Sequence, residues 1–498
     1  MQVMLGTIIS NEEGPSTHEF SFVLSPGQVA AIGQLVKVPT QSGEIIALAK
    51  KITRQNRYYQ FAESISQYAK ESKTFDASFP ARDWEYIVVS CSILGVFQNH
   101  LLRCSFPPSP GDSVAVVEDE TAAKVLGVSP NGLNIGTLLA SNLQCKVDLS
   151  RLLQKHLAVL GMSGSGKSHL MAVIIEELLS RDKENGRLSV IVLDPHGDYA
   201  SFAHPGNAFH DRTQVIKGEN VKISVTHLSS MLLSELVPSI TSPARREYSK
   251  ILAKVKRACE AEGKLLTLDE LIVAAEENTR SNLADVLNEV KHIGLFDAFD
   301  EPSMNFAKPG RLTIFDLSNT SAKVKQVIAA FYGRNLFSMR KQGKVPPFVL
   351  IAEEAHVFAR EKAKSENAIS KPVIESIARE GRKFGACLCL VSQRPVQLST
   401  TALSQCNSFI VMRVTNPYDL QHIGESCEGI DKNTLDAITS LRTGEGIVIG
   451  EALNFPAFVK VRPREFKGAA SAKLEDIAKD FETRSVAISE KDAGAAFL

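Results

Sequence analysis

The stretch GMSGSGKS, residues 161–168, constrains this chain more than any other eight residues in it. It has the form G-x-x-x-x-G-K-S, and its setting gives the pattern meaning. The apolar run HLAVLG leads into it and the helical run SHLMAVIIEELLS leads out. A strand must therefore deliver a glycine-rich turn to the N-terminus of a helix. Such a turn aims successive backbone N–H groups at one anion, here a triphosphate. Gly161, Ser163, Gly164, Ser165, Gly166, Lys167, Ser168 and His169 form the candidate nucleotide-binding set. Lys167 is placed for the β- and γ-phosphates of ATP, and the Ser168 hydroxyl for Mg²⁺.

The sequence around this turn reads as an α/β domain. From residue 156 onward, the runs HLAVLG, SVIVLD, VKISV, RLTIFDL, FVLIAE, ACLCLVS, SFIVMRV and GIVIG alternate with helical stretches. Continuous rather than alternating hydrophobicity marks strands buried on both faces, as in a parallel sheet covered by helices. Between VKISV (221–225) and RLTIFDL (311–317) the pattern turns helical. Tyr248, Ile251, Leu252, Val255 and Cys259 keep helical spacing, as do Leu283, Val286, Leu287 and Val290 before Gly294. Thr267 and Glu270 form a capping-box signature. This is a helical bundle inserted into the α/β core.

Upstream, GTIIS, EFSFVL, QLVKVP, GEIIALAKKI, YIVVSCSILGVF and DSVAVVED are short β segments separated by turn residues, which suits a small barrel or a sandwich. A polar, Ala-rich stretch at about 55–75 reads as helical. The expected division is a β domain at 1–125, a connecting segment with a strand or two at 126–150, the first part of the core at 151–226, the insertion at 227–308, the second part of the core at 309–466 and a helical tail at 467–498.

At 498 residues the chain is too long for one compact core. Its formal net charge is zero, so any nucleic-acid contact must come from a local basic lining rather than a global field. No basic leader precedes an apolar run, and no apolar run approaches the ~20 residues of a membrane span. The eight cysteines form no CxxC pair. Cys387 and Cys389 read as buried strand thiols rather than zinc ligands. A cytoplasmic, reducing setting fits, with no membrane partner.

Several acids and cations close strands. VLIAEEAHVF (349–358) climbs to Ala352 and stops at Glu353 and Glu354. Carboxylates at the end of a buried strand need a cation, and the metal of the phosphate loop supplies one. Adjacent strand residues point to opposite faces, so the two acids divide the work. Glu353 serves Mg²⁺ or its water shell, and Glu354 orients and polarises the attacking water. Asp194 ends SVIVLD and either reaches the nucleotide or caps the turn PHGDY. Gln393, after ACLCLVS, is a candidate sensor of the γ-phosphate. In ring ATPases an arginine from the neighbouring subunit must reach that phosphate, and Arg379 and Arg382 of IAREGRKFG are the candidates. The polar segment AREKAKSENAISK (359–371) offers Lys362, Lys364 and Lys371 to DNA phosphates. A second basic cluster on an inserted helix, Arg245, Arg246, Lys250, Lys254, Lys256 and Arg257, is either a further DNA contact or surface charge.

Taken in order, GMSGSGKSHL, VLDPHGDY, the helical insertion, IAEEAH, REGRKFG and SQRP resemble the HerA family over nearly the whole chain. The resemblance implies an N-terminal HAS-type β-barrel, a RecA-like P-loop motor core with its inserted bundle, and a homo-hexameric ring threaded by double-stranded DNA. It also implies a NurA-type nuclease docked on the barrel side, and ATP hydrolysis driving translocation or unwinding for end resection in double-strand-break repair. Glu-Glu replaces the more general Asp-Glu, as is common in this family. Lys155 stands where some relatives carry arginine. Two other readings stay open: a soluble secretion or conjugation ATPase, and a ring scaffold for a nuclease or effector in a defence complex. No LSGGQ-like segment follows the phosphate loop, which argues against an ABC-type ATPase.

Overall fold

The computed structural model describes residues 4–10, 14–41, 43–56, 59, 66, 84–277, 282–298, 305–362, 368–427, 429–466, 475, 478–479 and 481–482. Most of the helix expected at 55–75 and most of the tail at 467–498 lie outside the described residues.

The N-terminal strands are β1 (Met4–Ile9), β2 (Glu19–Leu24), β3 (Leu35–Thr40), β4 (Gly43–Gln55), β5 (Tyr86–Phe97), β6 (Leu101–Leu102) and β7 (Ser113–Val116). They pair in the order β2-β1-β7-β3-β4-β5, and β5 pairs back onto β2 through Phe22 opposite Val89. That last pairing closes a six-stranded barrel and leaves β6 as an appendage of β5. Of the barrel and the sandwich that the sequence allowed, the structure is the barrel. Closure removes the open edges that a sandwich must protect. Phe20, Phe22, Val36, Val38, Ile45, Ala47 and Val89 fill its interior.

The remaining strands are β8 (Leu133–Leu138), β9 (Gln144–Val147), β10 (Leu157–Leu160), β11 (Ser189–Asp194), β12 (Thr213–Lys217), β13 (Ile223–Ser224), β14 (Phe296–Asp297), β15 (Leu312–Asp316), β16 (Phe348–Ala352), β17 (Ala386–Ser392), β18 (Ser408–Met412), β19 (Glu445–Gly450) and β20 (Ala457–Val461). All but β13 and β14 join one sheet, in the order β12-β15-β11-β16-β17-β10-β18-β19-β20-β8-β9. From β12 to β18 every pairing is parallel; from β18 to β9 every pairing is antiparallel.

Both faces are covered, which is why the strands read as unbroken apolar runs. Leu157, Val159, Val190, Val192, Val349 and Ile351 face the phosphate-loop helix, Lys167–Ser180. Ala158, Leu160, Ile191, Leu193, Leu350 and Leu388 face the helices Ala322–Lys341 and Lys371–Glu380. Tyr248, Leu271, Val286 and Leu287 of the inserted helices join that second core. The capping box at Thr267 and Glu270 forms as read, and Gly294 ends the helix Leu283–Ile293 in a left-handed conformation.

One segment differs from the sequence reading. VKISV supplies no strand to the main sheet: only Ile223–Ser224 is extended, and it pairs with Phe296–Asp297 in a separate two-stranded ladder. The outer position beside β15 belongs to TQVIK, residues 213–217. An edge strand keeps one side in solvent, so its polar residues hide it from a search for continuous apolar runs. Residues 126–150, read as a connecting segment with a strand or two, carry β8 and β9 and extend the large sheet by a hairpin. Among the described residues no helix is long and apolar enough to cross a membrane.

His156 pins the strand that carries the phosphate loop. It is buried, with φ +65°, a left-handed conformation that histidine tolerates better than most side chains. The Leu388 N–H donates to its Nδ1 at 3.0 Å, so Nε2 carries the ring proton and donates to the Ala378 carbonyl at 2.9 Å. Burial holds its pKa down at about 4, against an ordinary 6.5. His156→Leu leaves an N–H and a C=O buried without partners, and should cost about 2–5 kcal/mol in guanidinium unfolding. The folded pKa is depressed, so the contribution of the neutral ring is complete above pH 6.5 and declines as pH falls toward 4. The variant should accordingly lose less stability than the parent between those two pH values.

Candidate active site

The parallel register brings the strand ends together. Leu160 of β10 lies opposite both Ser392 of β17 and Val411 of β18. Leu193 of β11 lies opposite Ala352 of β16, which lies opposite Leu390 of β17. Gly161, Asp194, Glu353 and Gln393 therefore leave their strands at one edge, the carboxyl edge, where ligands of parallel α/β sheets sit.

The phosphate loop turns as its glycines allow. Gly164 has φ +74° and Gly166 φ +105°. The Ser165 hydroxyl and the Lys167 ammonium both donate to the Met162 carbonyl, at 2.8 and 3.1 Å. Two later segments rim the loop. The Gly444 N–H donates to the Ser165 carbonyl at 2.9 Å, and Met162 N–H donates to the Arg413 carbonyl at 2.8 Å. Lys167 is only 7% exposed. Burial pushes its pKa down, while Glu354, Glu353 and Asp198 pull it back up.

Glu353 is 2% exposed, and its two oxygens have different neighbours. Tyr199 donates its hydroxyl to Oε2 at 2.9 Å. The Ser168 hydroxyl lies 3.4 Å from Oε1 and 3.0 Å from Oδ2 of Asp198. Burial pushes the Glu353 carboxyl up to about 7; the Tyr199 hydrogen bond opposes this, the charges of Glu354 and Asp198 add to it, and Lys167 opposes it. The oxygens of Ser168, Glu353 and Asp198 are hard donors of the kind that Mg²⁺ takes, one or two carboxylates being its usual protein share beside phosphate oxygens. Among the described residues no cluster of three or more His, Cys, Asp or Glu side chains could hold a metal by itself.

Glu354 turns the other way. Its backbone is left-handed, φ +48° and ψ +52°, a strained setting for a residue with a Cβ. No hydrogen bond joins it to Ser168 or Tyr199. Its Oε2 is buried without a hydrogen bond, and Nδ1 of His356 lies 3.3 Å away.

Asp194 caps the turn. Its carboxylate accepts the N–H groups of His196, Gly197 and Tyr199 at 3.1, 2.8 and 3.0 Å. Asp198, delivered by that turn, is the acid that reaches Ser168. Gln393 is half-buried beside the loop, one residue beyond Ser392, whose carbonyl accepts from the Gly161 N–H at 3.3 Å. His169 sits on the loop's helix, but its Nε2 donates to the Arg462 carbonyl at 2.9 Å, so the imidazole anchors the helix to the exit of β20.

The arginines are elsewhere. Arg379 ends the helix before β17 and Arg382 lies in the next turn, both exposed at the amino edge of the sheet. Arg379 lies 3.5 Å from Glu375. Lys155, on the same edge, is paired with Glu451. Lys362 is exposed, with φ +53°. Lys371 begins a helix and is paired with Glu361 and Glu375, at 3.4 and 3.8 Å. Lys364 lies outside the described residues. The sequence reading missed Asp198, Tyr199 and the rim at Arg413 and Gly444. The first two had a signal, since VLDPHGDY places a second acid four residues beyond the strand-end acid.

Residues 133–336 match the family model described as "Helicase HerA, central domain". The DNA double-strand break repair helicase HerA of Pyrococcus furiosus is 26% identical, over 93% of this chain and 93% of its own. Its namesake from Sulfolobus acidocaldarius is 28% identical, over 80% of this chain and 81% of its own. Among solved structures, VirB4 of Thermoanaerobacter pseudethanolicus superposes with a TM-score of 0.51 at 14% identity, over 69% of this chain and 98% of that one, a likeness of fold. With a matching central domain and relatives aligned over nearly its whole length, the chain is similar to the HerA helicases.

Proposed function

We propose that the chain is an ATP-driven translocase or helicase on double-stranded DNA, working as a homo-hexameric ring in the cytoplasm. In this reading it acts with a NurA-type nuclease, docked on the barrel side, in resecting DNA ends. The observation that carries the proposal is the carboxyl edge of the sheet, where a nearly buried lysine, a serine hydroxyl and three carboxylates converge on one phosphate loop.

The roles follow from the contacts. The N–H groups of Gly164 to Ser168 and the Lys167 ammonium hold the β- and γ-phosphates. Ser168 and Glu353, with Asp198, would hold Mg²⁺, which when bound neutralises charge on the phosphate oxygens. Tyr199 fixes the orientation of Glu353. Glu354, which keeps a buried oxygen free of hydrogen bonds, accepts the proton of the attacking water. Gln393 lies beside the loop, in reach of a change at the γ-phosphate. Arg379 and Arg382 are at the sheet edge opposite their own phosphate loop, so a phosphate they serve belongs to a neighbouring subunit. Lys362 stays free for DNA phosphate, whereas Lys371 is committed to local ion pairs.

The test is steady-state ATP hydrolysis without DNA, with single-stranded DNA and with duplex. Duplex should stimulate it strongly, and Glu354→Gln should lower kcat by about 100-fold or more while nucleotide still binds. Activity indifferent to every DNA would overturn the translocase reading. Tyr199→Phe removes a hydrogen bond that orients Glu353, and should raise the Mg²⁺ concentration for half-maximal hydrolysis about tenfold. Arg379→Ala/Arg382→Ala and Lys167→Ala should each be inactive alone. Mixed, they should regain activity, because an intact arginine pair then faces an intact phosphate loop across some interfaces; no recovery on mixing would exclude the trans role.

A further inference from the structure

His356 stands between Glu354 and the end of β17. Its Nδ1 lies 3.3 Å from Oε2 of Glu354 and 3.3 Å from the hydroxyl of Ser392, the last residue of β17. The Ser392 oxygen already accepts the Arg394 N–H at 3.1 Å, so its own proton is free to be donated. A neutral imidazole carries one N–H, and Nδ1 can face these two neighbours in only two ways.

In the first, Ser392 donates to Nδ1 and the ring proton sits on Nε2. Nδ1 then presents no proton to Glu354, and a carboxylate oxygen is left without a donor. In the second, Nδ1 carries the proton and gives it to Glu354, and the Ser392 hydroxyl turns away. The unpaired Oε2 of Glu354 corresponds to the first arrangement. Because Ser392 directly precedes Gln393, a shift at that strand end acts on the hydroxyl that selects between the two.

We propose that His356 is a positioning residue for Glu354, which it either releases toward water or holds, as the Ser392 hydroxyl dictates. The inference rests on the reading of Glu354 as the water-orienting acid. The left-handed backbone of Glu354 fits a residue held in a geometry that its own conformational preference does not supply.

The experiment uses the full chain, with ATP hydrolysis, nucleotide affinity and thermal melting measured on each variant. His356→Ala should lower kcat about tenfold or more while nucleotide affinity stays within about twofold, since the residue acts on the water and not on the phosphates. His356→Asn, whose amide can stand in place of Nδ1, should recover much of the loss. Ser392→Ala should change kcat, and the double variant His356→Ala/Ser392→Ala should be no worse than His356→Ala alone, because both act through one contact. A His356→Ala protein with parental kcat would overturn the proposal, as would strictly additive effects, or a loss of melting temperature and nucleotide affinity together with activity. The parent and Glu354→Gln proteins separate the two levels. If the parent hydrolyses ATP and Glu354→Gln does not, a silent His356→Ala sinks this inference alone. If Glu354→Gln hydrolyses ATP normally, the reading beneath it falls as well.

Discussion

The central constraint is the crowding of charge where β16 ends. Glu353 and Glu354 leave the core within one residue of each other, both less than a tenth exposed, and Asp198 adds a third carboxylate. Carboxylates taken out of water are costly unless cations or donors meet them. Lys167 is the only cation of the phosphate loop itself, and burial weakens it too. The cluster therefore favours a cation, and a divalent metal held by the Ser168, Glu353 and Asp198 oxygens would supply one. Much of the fold serves this requirement. A parallel sheet is the arrangement that ends β10, β11, β16 and β17 at one edge, and helices on both faces keep that edge dry on its inner side.

How much of this is legible in the sequence depends on how local each determinant is. The phosphate loop is eight consecutive residues between a strand and a helix, and it forms as read. Central strands are apolar on both faces for a reason that shows in any window, so they too could be read directly. β12 could not, because an edge strand keeps polar residues and resembles a loop. Asp194 and Asp198 show the limit more sharply. Both are acids at a strand end, and only the folded turn tells them apart: three N–H groups claim Asp194, and the turn they build delivers Asp198 to Ser168. The rim at Arg413 and Gly444 is about 250 or more residues from the loop it closes, and nothing near it in sequence announces that contact.

The barrel and the α/β core share apolar surface, so neither is a passive appendage. Leu35, Ile46 and Leu48 of the barrel pack with Val125, Leu126 and Leu133, which lead into β8. Lys50 of β4 reaches Asp431, the N-cap of the helix Lys432–Ser440. A partner docked on the barrel would thus touch an element joined by packing to the large sheet.

The same reasoning links the nucleotide edge to the segment offered to DNA. After Gln393 the chain makes a short turn and runs antiparallel to residues 359–361. The Ser399 N–H donates to the Ala359 carbonyl at 2.7 Å, and the Glu361 N–H donates to the Gln397 carbonyl at 2.8 Å. The Thr400 N–H donates to the Glu361 carboxylate at 3.0 Å, and the Ser399 hydroxyl to Glu375 at 2.7 Å. Lys362 follows directly, with a left-handed backbone. On one side, then, Glu354 and His356 precede this ladder; on the other, Ser392 and Gln393 do. Two strand ends that meet beside the phosphate loop meet again, a few residues later, next to Lys362. A hydrogen-bonded ladder transmits displacement better than a free loop, because moving one strand without the other leaves backbone groups unpaired. The nucleotide edge and Lys362 are thus joined by backbone hydrogen bonds within 48 residues of sequence, from Glu353 to Thr400.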